Sequence, residues 1–459
     1  MRIKFLTIIF VLLFYLPVDA AVIKSVRTGV APDKTRIVID LDEPVKYTEQ
    51  LAGDKLKVTI DAKTSKKVQL TPKSEWIKQV TLIKQGKKGA ELTVDLAKAP
   101  GTYKVFLLKG PDRLVIDFYR FVLAKQSTIL APGVSYLSWR DYQDTRPVWL
   151  HVVEATPASN YALRPVLGKV ATIDKAKPSA IAANTGALAL INASYFDSTK
   201  WVIGNLKIDG VWASAEMQAR TALAINKNGQ TRILAPVAYQ GKVLAGGNVK
   251  QLTGVNRERI NNDLILYNRF FGTSTTTNQY GIEVRIKDGR VIEVSNTGNM
   301  TLDESSEVLS GHGAGAEFLQ KLKKGNRVYL THDLSVTGLE KTNSLVGAGP
   351  LLVEGGRKKV LAELENFAND IKVGRAPRTA VGVKADGSIL LVVVDGRSVY
   401  SSGLTLNELA DYMIKLGAIS AMNFDGGGSS AMIIKNQVVN KPSDGSERPV
   451  RVALGLFSK

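Results

Sequence analysis

The stretch Asn423-Phe424-Asp425-Gly426-Gly427-Gly428-Ser429-Ser430-Ala431-Met432 constrains this chain more than any other. Three successive glycines fit poorly inside a helix or strand, and this run lies between two apolar segments, 418–424 and 431–434. It therefore reads as a rigid turn between two strands. Without Cβ atoms, peptide N–H groups can approach a ligand beside Asp425 closely. Asp-Gly is also a common hairpin turn, and taken alone it would be structural. The density of polar groups makes the turn a candidate site, with Asp425 as its carboxylate and Gly426, Gly427, Gly428, Ser429 and Ser430 as ligand contacts.

The residues leading into this turn suggest how it is delivered. The β-branched run 389–394 ends in Asp395-Gly396-Arg397, and Thr405-Leu406-Asn407-Glu408 has the pattern of a capping box. Leu406, Leu409, Ala410 and Met413 follow helical spacing, and Gly417 marks the helix end. A strand–helix–strand crossover would place Asp395 and Asp425 at the same end of neighbouring parallel strands. Earlier still, Arg375 and Arg378 precede another apolar run. Arginine holds phosphate or carboxylate through a planar fork, and Arg378, at the mouth of the run, is the better placed of the two.

Further candidates lie upstream. The apolar run 187–191 delivers Asn192 to the end of an expected strand, where it could also be a simple strand-end cap. Glu283 alternates with apolar neighbours, the pattern of a solvent-facing strand residue. Gly349, in Gly347-Ala348-Gly349-Pro350, gives backbone freedom before a buried strand, and Arg448 near the C-terminus is a further anion contact. Helices are expected over 169–183, interrupted at Pro178, and over 315–322. The expected fold of this part is mixed α/β (α+β).

Composition narrows the chemistry. The 459 residues carry 61 Lys and Arg against 42 Asp and Glu, a net charge of +19 that favours polyanionic partners. With no cysteine, disulfides, thiol nucleophiles and thiolate metal sites are excluded. The three histidines, His151, His312 and His332, are too far apart in sequence to suggest a zinc site, and a Ser-His-Asp triad has little support. No ligand spacing demands Ca²⁺ or Mg²⁺, so no cofactor or metal is expected, although a carboxylate among polar oxygens leaves a divalent cation open.

Arg2 and Lys4, the apolar run 5–16 and Pro17-Val18-Asp19-Ala20 fit a cleaved signal peptide over 1–20. The run is short against the roughly 20 apolar residues of a membrane span. An exported protein, whether periplasmic, wall-associated or secreted, meets phosphate-bearing glycans and lipids rather than nucleic acid. Residues 21–121 show short alternating segments separated by turn signals, the pattern of an all-β sandwich. Residues 122–133 read as a linker, and 134–459 as a second, larger domain.

Two resemblances sharpen this reading. The segments Val26-Arg27, Thr35 to Leu41 and Pro111 to Tyr119 resemble the AMIN domain, which implies binding of peptidoglycan or another anionic wall polymer by residues 21–121. The ordered set of Ile191 to Phe196, Arg378-Thr379-Ala380 with Gly382, Ser402 to Leu406 and Asn423 to Met432 resembles the phosphodiester glycosidase family. That resemblance implies site roles for Asn192, Arg378, Asp425, Gly426 to Gly428 and Ser429, and less directly for Gly349, Glu283 and Arg448. It implies hydrolysis of the anomeric C–O bond in a sugar-1-phosphodiester on a phosphate-bearing glycan or glycolipid, with Arg378 on the phosphate and Asp425 as nucleophile or base. The cysteine-containing modules and membrane anchor of the family's animal members are not matched, so their partners, localisation and particular substrate do not transfer. Most glycosidases use a second carboxylate, for which Glu283 and Asp395 are the candidates. The competing expectations are a non-catalytic wall-glycan-binding protein and a phosphodiesterase that cleaves P–O.

Overall fold

The computed structural model describes residues 21–459 except 32–33, 87–88, 98–101, 120–122, 145, 170–171, 199–200, 216, 338–341 and 399. The signal expected over 1–20 lies outside the described residues. The chain divides into two units, Met1–Phe121 and Val122–Lys459.

In the first unit, two five-stranded sheets form from the alternating segments. Lys55–Ile60 and Gly89–Leu96 bury every second residue, as period-2 patterning requires of a sheet with one covered face. The strands Lys34–Leu41 and Arg113–Tyr119 pair antiparallel, and across them Arg36 donates to both carboxylate oxygens of buried Asp117 at 2.6 and 2.7 Å. This fork, with Lys34 at 3.5 Å, holds the Asp117 carboxyl below its ordinary pKa against the opposing effect of burial.

The second unit is not the mixed α/β domain expected. The described structure is 53% strand and 7% helix, with four helices. Among the described residues, strand–helix–strand units join Ile389–Val394 to Ala418–Asn423 and Tyr161–Leu167 to Ala189–Asn192, but in each an antiparallel strand lies between the two parallel ones, and nearly all neighbouring strands pair antiparallel. Pro178 does not interrupt a helix over 169–183. It starts one, Pro178–Thr185, at a position where its missing N–H costs nothing. Residues 124–131, expected within a linker, form a strand paired with Val134–Gln143.

The organising sheet has eight strands in the order Ala124–Ala131, Val134–Gln143, Arg146–Ala155, Ile389–Val394, Arg378–Lys384, Ala418–Asn423, Leu351–Glu354 and Arg357–Lys358. Both of its faces are covered. Leu390, Val392 and Val394 pack with the helix Leu406–Lys415, whereas Leu391 and Val393 pack with a second sheet. That arrangement explains the uninterrupted apolar run 389–394, since neither face can carry polar residues. The capping box forms: Thr405 Oγ1 accepts from Glu408 N at 3.3 Å, and Glu408 Oε2 accepts from Thr405 N at 2.9 Å.

Ile389–Val394 and Ala418–Asn423 each pair antiparallel with Arg378–Lys384, so they run parallel to one another with that strand between them. The helix therefore makes the crossover, and Asp395 and Asp425 leave the sheet at one edge. They are not on adjacent strands. The second sheet runs Tyr161–Leu167, Val452–Ser458, Ala189–Asn192, Met432–Ile434 and Gln437–Val438. It brings Asn192 to the same edge.

Gly382 reports on the helix contact. A Cβ there would lie 2.6 Å from Met413 Cε and 3.2 Å from Ala418 Cβ. Gly382→Val should lower unfolding stability by about 1–3 kcal/mol through overpacking, measured by urea denaturation; an unchanged midpoint would show that the helix can shift to make room.

Candidate active site

The Asp425 turn is clamped before any ligand arrives. Phe424 is buried in the core between the two sheets, and its N–H donates to Thr379 O at 2.8 Å. Asp425 N donates to Ala193 O at 2.9 Å, and Asp425 O accepts from Asn192 Nδ2 at 2.6 Å. Asn192 Oδ1 in turn accepts from Thr379 Oγ1 at 2.7 Å and Ala431 N at 3.2 Å. Asn192 is thus engaged on both its amide atoms, and its geometry suits holding the Asp425 peptide in place.

The glycines serve this geometry directly. Gly427 adopts φ +58, the left-handed region, and its N–H donates to Pro377 O at 2.9 Å. A Cβ on Gly426 would meet that same Pro377 carbonyl at 2.8 Å. Ser429 N and Ser430 N donate within the turn, to Gly426 O at 3.1 Å and Gly427 O at 3.2 Å. The expectation that the whole Gly426 to Ser429 backbone faces a ligand is corrected here. Among the described residues the Gly426 and Gly428 N–H groups of this turn make no hydrogen bond of good geometry within the protein, and the Gly426 N–H acts on the Asp425 carboxylate by proximity.

Burial sets the electrostatics of Asp425. It pushes the carboxyl from 3.8 up to about 6, against the lowering effects of Ser429, Arg448 and the Gly426 N–H. Ser429 Oγ acts through proximity, since it is buried without a hydrogen-bond partner of good geometry. Asn423 Oδ1 and Ser194 Oγ are likewise buried and unpartnered, and they belong to the segments that hold the turn. Three unsatisfied buried polar atoms in the segments around one turn are unusual in a folded interior.

Arg378 opens its strand only 2% exposed. Nε donates to Leu404 O at 2.9 Å, and Nη2 donates to Gly374 O at 2.6 Å and Ile371 O at 3.2 Å. No carboxylate pairs with it among the described residues, and Nη1 makes no hydrogen bond. Burial lowers its pKa, yet a guanidinium stays charged, so the site holds a fixed cation that no carboxylate pairs with directly.

Tyr195 was not singled out from the sequence. Its hydroxyl donates to Gly349 O at 3.1 Å and accepts from Asn423 Nδ2 at 2.8 Å, while the charges of Asp425 and Arg378 both act on it. Burial raises its pKa far enough to keep it a neutral wall of the site. The available signal was its place three residues after Asn192. Gly349 is brought to this wall too, with φ +88 and its carbonyl occupied by Tyr195 and Asn423. Arg448 lies beside Gly428, bound to Asp444 Oδ2 at 2.7 and 3.0 Å.

Neither expected second carboxylate joins Asp425. Asp395 is buried, with Oδ2 at 3.2 Å from His151 Nε2 and Oδ1 accepting from Asn440 Nδ2 at 3.1 Å and Lys441 N at 2.9 Å. Glu283 is fully buried rather than solvent-facing. It belongs to a different five-stranded sheet and accepts from Thr277 Oγ1 at 2.9 Å and Met300 N at 2.8 Å. Among the described residues, no group of three His, Asp or Glu side chains is placed to hold a metal ion.

The raised Asp425 pKa has a consequence for stability. Between the unfolded value near 3.8 and the folded value near 6, the folded state binds the extra proton, so this group's contribution is full below the first value and lost as pH rises through the second. Asp425→Asn should therefore be more stable than the parent at about pH 8, by on the order of 1–3 kcal/mol, with the difference closing below about pH 4. Urea denaturation at the two pH values checks this; a variant less stable at the higher pH would contradict it.

Comparisons with known proteins find partial matches. Over 89 residues the chain is 42% identical to the SPbeta prophage-derived uncharacterized protein YomE of Bacillus subtilis (strain 168), covering 19% of this chain and 14% of that one. Over 67 residues it is 37% identical to the N-acetylglucosamine-1-phosphodiester alpha-N-acetylglucosaminidase of Bos taurus, covering 15% and 12%. The chain thus matches less than a fifth of the length of these curated relatives. The crystal structure of a hypothetical protein from Synechocystis shares the fold with a TM-score of 0.69 at 23% identity, covering 97% of this chain and 82% of that one. A structure from Burkholderia pseudomallei K96243 superposes with a TM-score of 0.60 at 21% identity, covering 90% and 96%. Residues 280–457, which supply Arg378, Asp425 and the glycine turn, match the family model described as phosphodiester glycosidase.

Proposed function

We propose that this chain hydrolyses the anomeric C–O bond of a sugar-1-phosphodiester in an envelope or exopolysaccharide glycan. The observation that carries the reading is a buried arginine with no paired carboxylate among the described residues, Arg378, opening a strand beside the one that leads into a half-buried, desolvated carboxylate, Asp425. A phosphodiester supplies the negative charge that Arg378 lacks. Its leaving group departs as a stable anion, so it needs electrostatic stabilisation more than a proton donor.

In this mechanism Asp425 acts as base. Water bonds to the anomeric carbon as the C–O bond breaks, its proton passes to the Asp425 carboxylate, and the electron pair leaves on the phosphate oxygen. Asp395 and Glu283 are engaged elsewhere, and because the phosphate leaves without needing a proton, one carboxylate acting as base on water suffices for a single displacement. A single displacement inverts the anomeric configuration. Arg378 Nη1 and the Gly428 N–H face the phosphate, Asn192 positions Asp425, and Tyr195 walls the sugar side. Residues 21–121, in an exported protein, would tether this activity to peptidoglycan or another anionic wall polymer.

Incubation with a panel of sugar-1-phosphodiesters should release free sugar of inverted configuration and a phosphate monoester. Turnover should rise through pH about 6 as Asp425 ionises. Asp425→Asn should lower kcat by about 100- to 10,000-fold. Tight binding of the panel with no turnover would replace this reading with that of a glycan-binding protein, and near-parent activity in the variant would remove Asp425 from the chemistry.

A further inference from the structure

A second arginine at the glycine turn is unaccounted for by the reading above. Arg397 follows Asp395 and Gly396 at the end of the Ile389–Val394 strand, and its backbone is fixed on the strand side. Asp395 is locked by His151, Asn440 and Lys441, and a Cβ on Gly396 would lie 2.7 Å from Pro377 N and 3.0 Å from Gly403 Cα. Arg397 itself adopts φ +56, a left-handed conformation that a long side chain rarely takes without compensation.

This conformation carries the guanidinium over the turn. A Cβ on Gly427 would lie 3.2 Å from Arg397 Nη2 and 3.6 Å from Nη1. The side chain is exposed, and among the described residues it makes no hydrogen bond and no ion pair. Its charge also acts unfavourably on Arg378. Two arginines, one buried and one exposed, thus lie against one glycine turn, and among the described residues no carboxylate pairs with either. An ordinary surface arginine needs neither the left-handed backbone nor the approach to a second cation. A bound anion would compensate both, and a guanidinium fork matches two non-bridging phosphate oxygens.

We propose that Arg397 is the outer half of a phosphate subsite, closing with Arg378 Nη1 on the two non-bridging oxygens of an anionic aglycone. The subsite rests on the reading given above for its role in catalysis, but its affinity for phosphate can be measured independently. Arg397 therefore determines specificity: it selects sugars linked to phosphate over sugars linked to a neutral alcohol.

The test uses the full chain and two readouts. Titration calorimetry with inorganic phosphate should show binding to the parent, weakened about 10- to 100-fold in Arg397→Ala and partly restored in Arg397→Lys. With a hydrolysed sugar-1-phosphodiester, Arg397→Ala should lower kcat/KM by a similar factor and raise the inhibition constant of phosphate. Thermal unfolding of the variant should match the parent, because the side chain is exposed. Phosphate that binds parent and Arg397→Ala equally, or does not bind the parent, overturns the subsite. Phosphate binding that depends on Arg397 in a chain that hydrolyses no phosphodiester would keep the subsite and discard the glycosidase reading.

Discussion

The site depends on two hydrogen bonds to one peptide unit. Asp425 N reaches Ala193 O, and Asn192 Nδ2 reaches Asp425 O, so the turn leaving one sheet is tied to the strand end of another. Either bond alone would leave the turn free to pivot, and together they fix the direction of the Asp425 side chain. The surrounding sequence follows from that constraint. Thr379 must be small and hydroxylated to orient the Asn192 amide, Phe424 must be large and apolar to anchor the turn, and the glycines must let Pro377 O approach.

This fixed frame holds groups that are costly to bury. Asp425 is desolvated enough to hold its proton to about pH 6, and Arg378 is buried with no carboxylate paired to it among the described residues. Neither arrangement favours folding, and each is supported by carbonyls, hydroxyls and apolar packing around it. The conflict between local stability and site chemistry is what one expects where a protein binds a charged ligand. By contrast, the other buried carboxylates are fully provided for. Glu365 accepts from Thr221 N and Oγ1 and from Leu351 N, and Asp395 from Asn440 and Lys441. Satisfied carboxylates build the scaffold, and the unsatisfied groups gather at the candidate site.

How much of this was legible in the sequence depended on distance along the chain. The glycine turn, the capped helix and the apolar run 389–394 are local patterns, and each forms at its expected place. Arg378 was legible because it stands at the mouth of an apolar run. The partners of Asn192 were not, since they lie 187 and 233 residues away and only sheet order brings them together. Glu283 misled because alternation with apolar neighbours describes a half-exposed strand, whereas here both sides are covered. The mixed α/β expectation failed for a related reason: a parallel pair was read correctly, but the antiparallel strand between its members leaves no trace in local pattern. Arg397 looked like any other basic residue in a chain of net charge +19, and only its backbone angle and its place over Gly427 separate it from the rest.

The central claim is that the bond to carbon breaks and the bond to phosphorus does not. Hydrolysis of a sugar-1-phosphodiester in oxygen-18 water, followed by mass spectrometry of both products, tests this directly. The label should appear in the free sugar, with the phosphate monoester unlabelled. Label in the phosphate would contradict the account and make the protein a phosphodiesterase.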